Sequence, residues 1–467
     1  MLIKNKKQKR MKSIKIPFLG LMLLGSVALE AQVAPAQVKY RRSSLHMIML
    51  DDKGLVNADL IKKTFKGMPI PEKFNDHSLK DRSFDPAAIV ITDADRTAPA
   101  KKQSKAGGMA KGLASSATGG LVDTTNTKDL PLKFDKYFTT NDIAKGLVAK
   151  WFNRSAKGTF DMKLIGERGS YDASALDIAT AKSSKRGLSA VSDAGVELIG
   201  NTFVVVTRFN YISMEELAAA AKKGAAVAGK VGGGLAGKAG VNTGAAGNLA
   251  GKAADAALDQ AKGYVVQTTS YLYKLVWNDS IEAVFYQDYW IDDASFDQKK
   301  KDAFDKSTLF TLELIGDEKA TANVLSAAVV KKTEEQLITK ATINAFDAVI
   351  AKLQKKYEIF RTKTPLFSGD PITAKIGLKE GIEAGDKFEV LEQTLDEKTG
   401  KTKYVKKGKI TVQKGMVWDN RFGAEDEPKP AVADGAAAAG TAPAAPIDRT
   451  TFKGGKGYYS GMLIRQK

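Results

Sequence analysis

A chain of 467 residues without a single cysteine cannot be held together by disulfides or by a thiolate-bound zinc. Its fold must rest on buried apolar surface. With 43% hydrophobic residues over this length, there is enough for roughly two to four domains. The same absence removes cysteine nucleophiles and the lipid-bearing cysteine of a bacterial lipoprotein. Chains that leave the cytosol for a eukaryotic exterior are commonly disulfide-rich, so an exported chain of this kind suits a bacterial periplasm or surface.

Export is what the first 31 residues predict. Lys4 to Arg10, Lys12 and Lys15 form a basic head, Ile16 to Ala28 is an apolar run, and Ala31 before Gln32 offers a cleavage point. The run is too short to span a bilayer, and no second apolar stretch is long and uncharged enough to do so. The expected setting is the periplasm, the outer membrane or the cell surface of a Gram-negative bacterium.

The formal charge is +19, and removal of the leader leaves the chain strongly basic. Its lysines are scattered among Glu and Asp, with no basic helix face and no stacking aromatics beside them, so no nucleic-acid partner is expected. An anionic membrane surface or an acidic glycan suits that field better. The two histidines, His46 and His77, stand far apart and are read as surface or packing residues. Asp292, Asp293, Asp297 and Asp302 lack calcium-loop spacing and read as a solvated turn. Gly232-Gly233-Gly234 precedes no Gly-Lys-Ser/Thr, so there is no phosphate loop. No cofactor, metal or catalytic residue is expected.

The fold class expected is α+β and multidomain: a central α/β sandwich-like domain with a long helix, and a small C-terminal β-barrel. Residues 32–100 form an N-terminal region with strands at Leu45–Leu50 and Ala87–Ile91. Residues 101–130, rich in Gly, Ser, Thr, Ala and Lys, form a linker. The α/β domain spans 131–330. In it a helix starts at Thr140-Asn141-Asp142, Phe160–Gly166 is a strand, a helical region opens at Ser174, and Phe203–Val206 is a strand covered on both faces. Tyr271–Trp277 and Ile281–Trp290 form a hairpin turning at Asn278-Asp279-Ser280. Phe310–Leu314 is a further strand and Ala320–Ala327 its return. Residues 331–363 hold an amphipathic helix marked by Ile343, Phe346, Val349, Leu353, Tyr357 and Phe360. Residues 364–467 are β-rich, with strands at Ala374–Leu378, Lys387–Gln393, Lys403–Lys414, Met416–Phe422 and Tyr458–Arg465. They carry a hairpin loop at Asp396–Gly400 and an Ala/Pro loop at 424–448 read as disordered.

One segment points toward function. Residues 217–262 interrupt the α/β domain with Gly and Ala, and Gly229, Gly233 and Gly237 recur every four residues. Gly240 and Gly244, then Gly247 and Gly251, repeat that step. On a helix this glycine-zipper spacing clears a ridge for close approach of another helix. Lys222, Lys223, Lys230 and Lys238 suit headgroups or another anionic contact and would be costly at a bilayer centre. Three readings stay open: a flexible surface insertion, a helical hairpin packing on a partner or on itself, and a membrane-inserting or pore-lining element.

The order of elements in 140–290, with Glu167-Arg168-Gly169 as a strand-ending turn, resembles the periplasmic domain of the curli-export channel family and the N-terminal domain of TolB-like proteins. The stretch Gly377-Leu378-Lys379-Glu380-Gly381-Ile382-Glu383-Ala384-Gly385-Asp386-Lys387-Phe388-Glu389-Val390, closed by Gly461-Met462-Leu463-Ile464, resembles the small β-domain ending flagellar assembly protein T. Both resemblances imply envelope assembly without a catalytic centre. The expected function is therefore that of a non-enzymatic envelope-assembly protein working through contacts with other envelope proteins or a second copy of itself. A membrane-associating or pore-forming component and a glycan-acting enzyme are the alternatives.

Overall fold

Leu45 to Leu50 is apolar at nearly every position, and it forms a strand buried on both faces, β1 (Ser44–Leu50). The computed structural model describes residues 41–52, 54–97, 129–172, 198–216, 263–325, 332–395, 402–425 and 447–467. These residues belong to one compact unit of mixed α+β structure. Helix α1 (Ala58–Gly67) follows β1, and two short strands, β2 (Asn75–Asp76) and β3 (Ser83–Phe84), pair parallel with it along one edge. Ala87–Ile91, expected as a strand, is not one: Pro86–Ala88 is a 3-10 turn capped by Asp85, whose side chain accepts from Ala87 N–H. Helix α2 (Asp93–Thr97) closes this region.

On its other side β1 pairs parallel with β4 (Thr202–Ser213). The sequence sets residues 32–100 apart, yet their strand lies inside the central sheet. The apolar run of Phe203–Val206 is buried on both faces, as expected. β4 then pairs antiparallel with β5 (Gly263–Leu275), and β5 with β6 (Leu312–Leu325), giving the order β2-β1-β4-β5-β6.

Period-two alternation sends neighbouring side chains to opposite faces of this sheet. On one face lie Ile48, Leu50, Val204, Val206, Tyr273 and Leu275, covered by α3 (Leu130–Thr140), α4 (Ile143–Trp151) and α5 (Lys163–Asp172). Leu45, Met47, Phe203, Val205, Phe209 and Leu272 face the other way, onto α1 and a long helix beyond β6.

The helix expected from the start signal Thr140-Asn141-Asp142 is α4, with Asp142 at its N-cap, and α3 precedes it as an element not foreseen. Two expectations fail on the first face. The expected strand Phe160–Gly166 is instead the approach to α5, so Glu167-Arg168-Gly169 is helical and not a strand-ending turn. The hairpin over Tyr271–Trp290 is absent because Asn278 caps a helix, accepting from Ser280 and Ile281 N–H. Helix α6 (Asp279–Val284) then runs into a π-turn over Phe285–Tyr289. Ile281 and Phe285 are four residues apart and both buried, a helical period inside an aromatic-rich run that also fits alternation. Helix α7 (Gln298–Lys306) packs Phe304 into the same layer. The helical region at Ser174 lies outside the described residues.

The strand and return expected over Phe310–Ala327 are one strand, β6, with an irregularity opposite Leu272/Tyr273 where Gly316 stands at φ 154°. The long helix is α8 (Glu334–Lys356), opened by a capping box between Thr333 and Gln336.

The C-terminal residues build an antiparallel sheet around its own core of Ile376, Ile382, Phe388, Val390, Ile410, Phe452 and Ile464. Its strands are β7 (Thr364–Pro365), β8 (Ser368–Gly369), β9 (Ile372–Ala374), β10 (Lys387–Leu395), β11 (Thr402–Val412), β12 (Thr450–Gly454) and β13 (Leu463–Gln466). Their order is β7-β13-β10-β11-β12-β9-β8. Leu366 N–H donates to Met462 O on one edge and Phe367 N–H to Thr373 O on the other, so residues 364–369 touch both edges of the curled sheet. Leu395 pairs with Thr402, so β10 and β11 are the expected hairpin arms. Met416–Phe422 is not a strand, meeting Gly377 only through a single bridge at Trp418. The strand expected at Ala374–Leu378 meets β9 only at Ala374 and ends in a 3-10 turn at Leu378, Tyr458–Arg465 is strand only from Leu463 on, in β13, and β12 is an addition. Most of the Ala/Pro loop at 424–448 lies outside the described residues.

Candidate functional site

The glycines singled out above, Gly229, Gly233, Gly237, Gly240, Gly244, Gly247 and Gly251, lie outside the described residues, as do Lys222, Lys223, Lys230 and Lys238. What the structure does describe is where that segment leaves and rejoins the fold. Residues 217–262 connect β4 to β5, and the antiparallel ladder runs without a shift from Phe203↔Lys274 to its last pair, Ser213↔Tyr264. The two roots therefore leave the sheet side by side. At the first root Ser213 N–H donates to Glu216 Oε2 (2.9 Å) and Glu216 N–H to Ser213 Oγ (3.1 Å). This reciprocal pair is legible as Ser-x-x-Glu in Ser213-Met214-Glu215-Glu216.

Beside the roots opens a cleft of about 420 Å³, bounded by Tyr211, Glu215, Glu216 and Tyr264 from the hairpin, Lys332 and Glu334 at the start of α8, and Val56. Its walls are cross-braced. Glu334 Oε1 accepts from Tyr264 Oη (2.9 Å) and from Asn57 Nδ2 (3.0 Å), while Tyr211 Oη bonds Thr342 Oγ1 (2.6 Å), which donates on to Ile338 O. Burial, with the nearby carboxylates of Glu334 and Glu215, pushes the Tyr264 phenol up to about 12, so it stays a protonated donor. With three glutamates on its rim the cleft is an acidic mouth at the foot of a lysine-bearing segment.

The structure also joins two residues that the sequence keeps apart. His46 on β1 and His77 just past β2 are both fully buried in one polar knot. His77 Nε2 bonds Leu147 O (2.9 Å), and its Nδ1 lies 3.0 Å from Arg168 Nη1. Since a guanidinium only donates, Nδ1 is the acceptor and the ring is neutral, with its proton on Nε2. His77 stacks on Trp151 at 4.8 Å, and the Arg168 guanidinium caps the same indole at 4.6 Å. Arg168 also donates to Asp76 O (2.7 Å), and Trp151 Nε1 donates to Thr202 Oγ1 (2.8 Å).

His46 Nδ1 accepts from Leu79 N–H (3.3 Å), and its Nε2 is buried with no hydrogen-bond partner among the described residues. Burial, with the Arg82 and Lys150 charges, holds His46 down to about 3. Burial and Arg168 hold His77 well below the usual range. Two rings held neutral, one with both nitrogens engaged, act as fasteners: they pin β1, residues 76–79, α4 and α5 to one another. The packing role expected for both histidines fits this, whereas their meeting could not be read from sequence. In the sequence Arg168 reads only as part of a turn, and it reaches the knot because α5 is a helix.

The acidic cluster is taken up by local caps. Asp292 accepts from Ser295 and Ala294, Asp297 caps α7, and Asp293 Oδ1 accepts from Thr159 Oγ1. Among the described residues no group of three or more His, Asp or Glu is placed to hold a metal ion, and no helix is long and apolar enough to cross a membrane. Set against models of known protein families, the chain matches none, and no curated protein matches it.

Proposed function

We propose that this is an exported, non-enzymatic envelope protein that serves surface or envelope assembly through protein contacts, with residues 217–262 as its contact element. We infer with it a sandwich-like central domain that carries the element and a small C-terminal barrel closed at 364–369. The observation that carries this reading is the pair Ser213↔Tyr264: the ladder of β4 and β5 is complete up to the roots of the segment. A ladder complete up to its end needs no residue of the segment for its own pairing, which supports a role for the segment toward an outside partner. Its glycine spacing and small side chains suit close helix approach and offer little apolar area to bury alone. The second support is the acidic, cross-braced cleft at the roots, which gives the contact face a fixed border. The stretch Gly377–Val390, on which the resemblance to the flagellar assembly domain rests, comprises the turn of Leu378–Glu380, Gly381 at φ 65° and Gly385-Asp386 leading into β10.

Crosslinking in intact envelopes followed by pull-down tests this. The full chain is expected to bring down defined envelope proteins, or itself, and the triple variant Gly229→Leu, Gly233→Leu, Gly237→Leu is expected to lose those partners. An unchanged partner set in the triple variant would remove the glycine ridge from the account. Retention in the membrane fraction after a high-salt wash, with no protein partner found, would favour the membrane-associating alternative.

A further inference from the structure

Helix α8 has two buried faces of different character. One is apolar, with Leu337, Ala341, Ala345 and Leu353 packed on the central sheet. The other steps through Lys340, Asn344, Asp347 and Ala351, a helical spacing of three and four that forms a second stripe. This stripe meets the C-terminal sheet. Lys340 Nζ donates to Gly423 O (2.8 Å), and the Cβ of Ala351 would lie 3.1 Å from a Cβ added at Gly381.

The seam is polar and incompletely satisfied. Asp347 is 8% exposed, and its Oδ2 is buried without a hydrogen-bond partner among the described residues, as is Asn344 Oδ1. Lys379 faces Asp347 with an attracting charge, and Glu380 and Glu72 face it with repelling ones. Lys73 sits among the same three charges, burial pushing its ammonium down. Lys73 and Glu380 also line a void of about 20 Å³ at the seam, room for roughly one water. A buried, unpartnered carboxylate is tolerable as a neutral acid and costly as an anion.

We propose that this seam is a proton-controlled latch: neutral Asp347 holds the C-terminal sheet against α8, and loss of its proton to solvent loosens the docking. The directions agree, since burial raises Asp347 to about 7 while an undocked aspartate ionises near the ordinary value. Across the interval between those values undocking releases one proton. The opening equilibrium should therefore rise about tenfold per pH unit and level off above pH 7.

Hydrogen exchange on the full chain reads this directly. After correction for the intrinsic pH dependence, amides of 340–351 and 377–382 are expected to exchange about tenfold faster per unit between pH 5 and 7. Core amides of β4 and β5 should not follow. Asp347→Asn, which cannot ionise, is expected to abolish the dependence while keeping the seam closed at pH 8. Because the chain has no cysteine, a spin-label pair at Val90→Cys and Val405→Cys gives an independent readout, its distance distribution broadening with pH in the wild type alone. A pH-independent seam in the wild type, or an identical response in Asp347→Asn, would overturn the latch.

Discussion

At the residue scale, the buried histidines make stability depend on pH in a direction that can be worked out. Both have folded-state pKa values below the ordinary 6.5, His46 at about 3 and His77 well below normal. As pH falls through 6.5 the unfolded chain takes up protons that the folded chain refuses, so their contribution is present above 6.5 and is lost progressively below it. Each site adds a slope of about 1.4 kcal/mol per pH unit inside its window. Asp347 works oppositely: its folded value is raised to about 7, so below pH 7 the folded chain holds the extra proton and offsets one histidine. Denaturant unfolding between pH 5 and 6 should therefore show stability falling with acidification by about one proton's worth. His77→Gln keeps a donor for Leu147 O and an acceptor for Arg168 without titrating, and it should flatten that slope to near zero. A slope unaffected by His77→Gln would mean that the ring is not held neutral. None of this knot was legible in sequence. His46 and His77 each read as an isolated ring, and only the parallel pairing of β1 with β2, together with the helical form of Lys163–Asp172, brings them to Arg168 and Trp151.

At the scale of elements, legibility followed how local the deciding contacts are. Helix α8 was readable because its apolar spacing lies within its own residues, and the structure adds the capping box that opens it. Strand β4 was readable as a continuous apolar run. The hairpin expected over Tyr271–Trp290 failed because Asn278, taken as a turn residue, is a helix cap, and Phe, Tyr and Trp in a row fit either period. In β6, the break expected between Leu314 and Ala320 is an irregularity inside one strand, with Gly316 lying against the Tyr357 ring. A Cβ at Gly316 would lie 2.1 Å from Tyr357 Oη, at a φ of 154° that side chains rarely adopt. Tyr357 Oη, Lys356 Nζ and Lys352 Nζ also donate to Asp317 O and Lys319 O, covering part of the β6 edge against pairing with another strand. Gly316→Ala is accordingly expected to lower stability by about 1–3 kcal/mol and to loosen this cover, measured by denaturant unfolding and by aggregation rate. A neutral outcome in both would show that the ring and the strand adjust freely.

At the scale of the molecule, composition and element order made a mixed α+β chain legible, whereas topology was not. Strand β1 sits between β2 and β4, and β4 pairs with β5 across residues 217–262, a partnership that no local pattern announces. The sequence shows residues 217–262 as an interruption within one α/β domain, and the structure adds that the strands on either side of it pair with each other. Sequence also offered the segment itself as a candidate but said nothing of the acidic cleft at its roots, which is assembled from Val56, Tyr211, Tyr264 and Glu334, residues far apart along the chain. On the function proposed above, this segment is a separable contact element on a self-sufficient sheet. Deleting residues 218–262, bridging the ends with a short glycine linker, and recording thermal unfolding and envelope co-fractionation on the same preparation tests it most directly. A transition within about 2 °C of the full chain is expected, together with loss of envelope association. A chain that unfolds or drops by more than about 10 °C would place the segment in the core, and one that keeps both its transition and its association would make the segment a passive insertion.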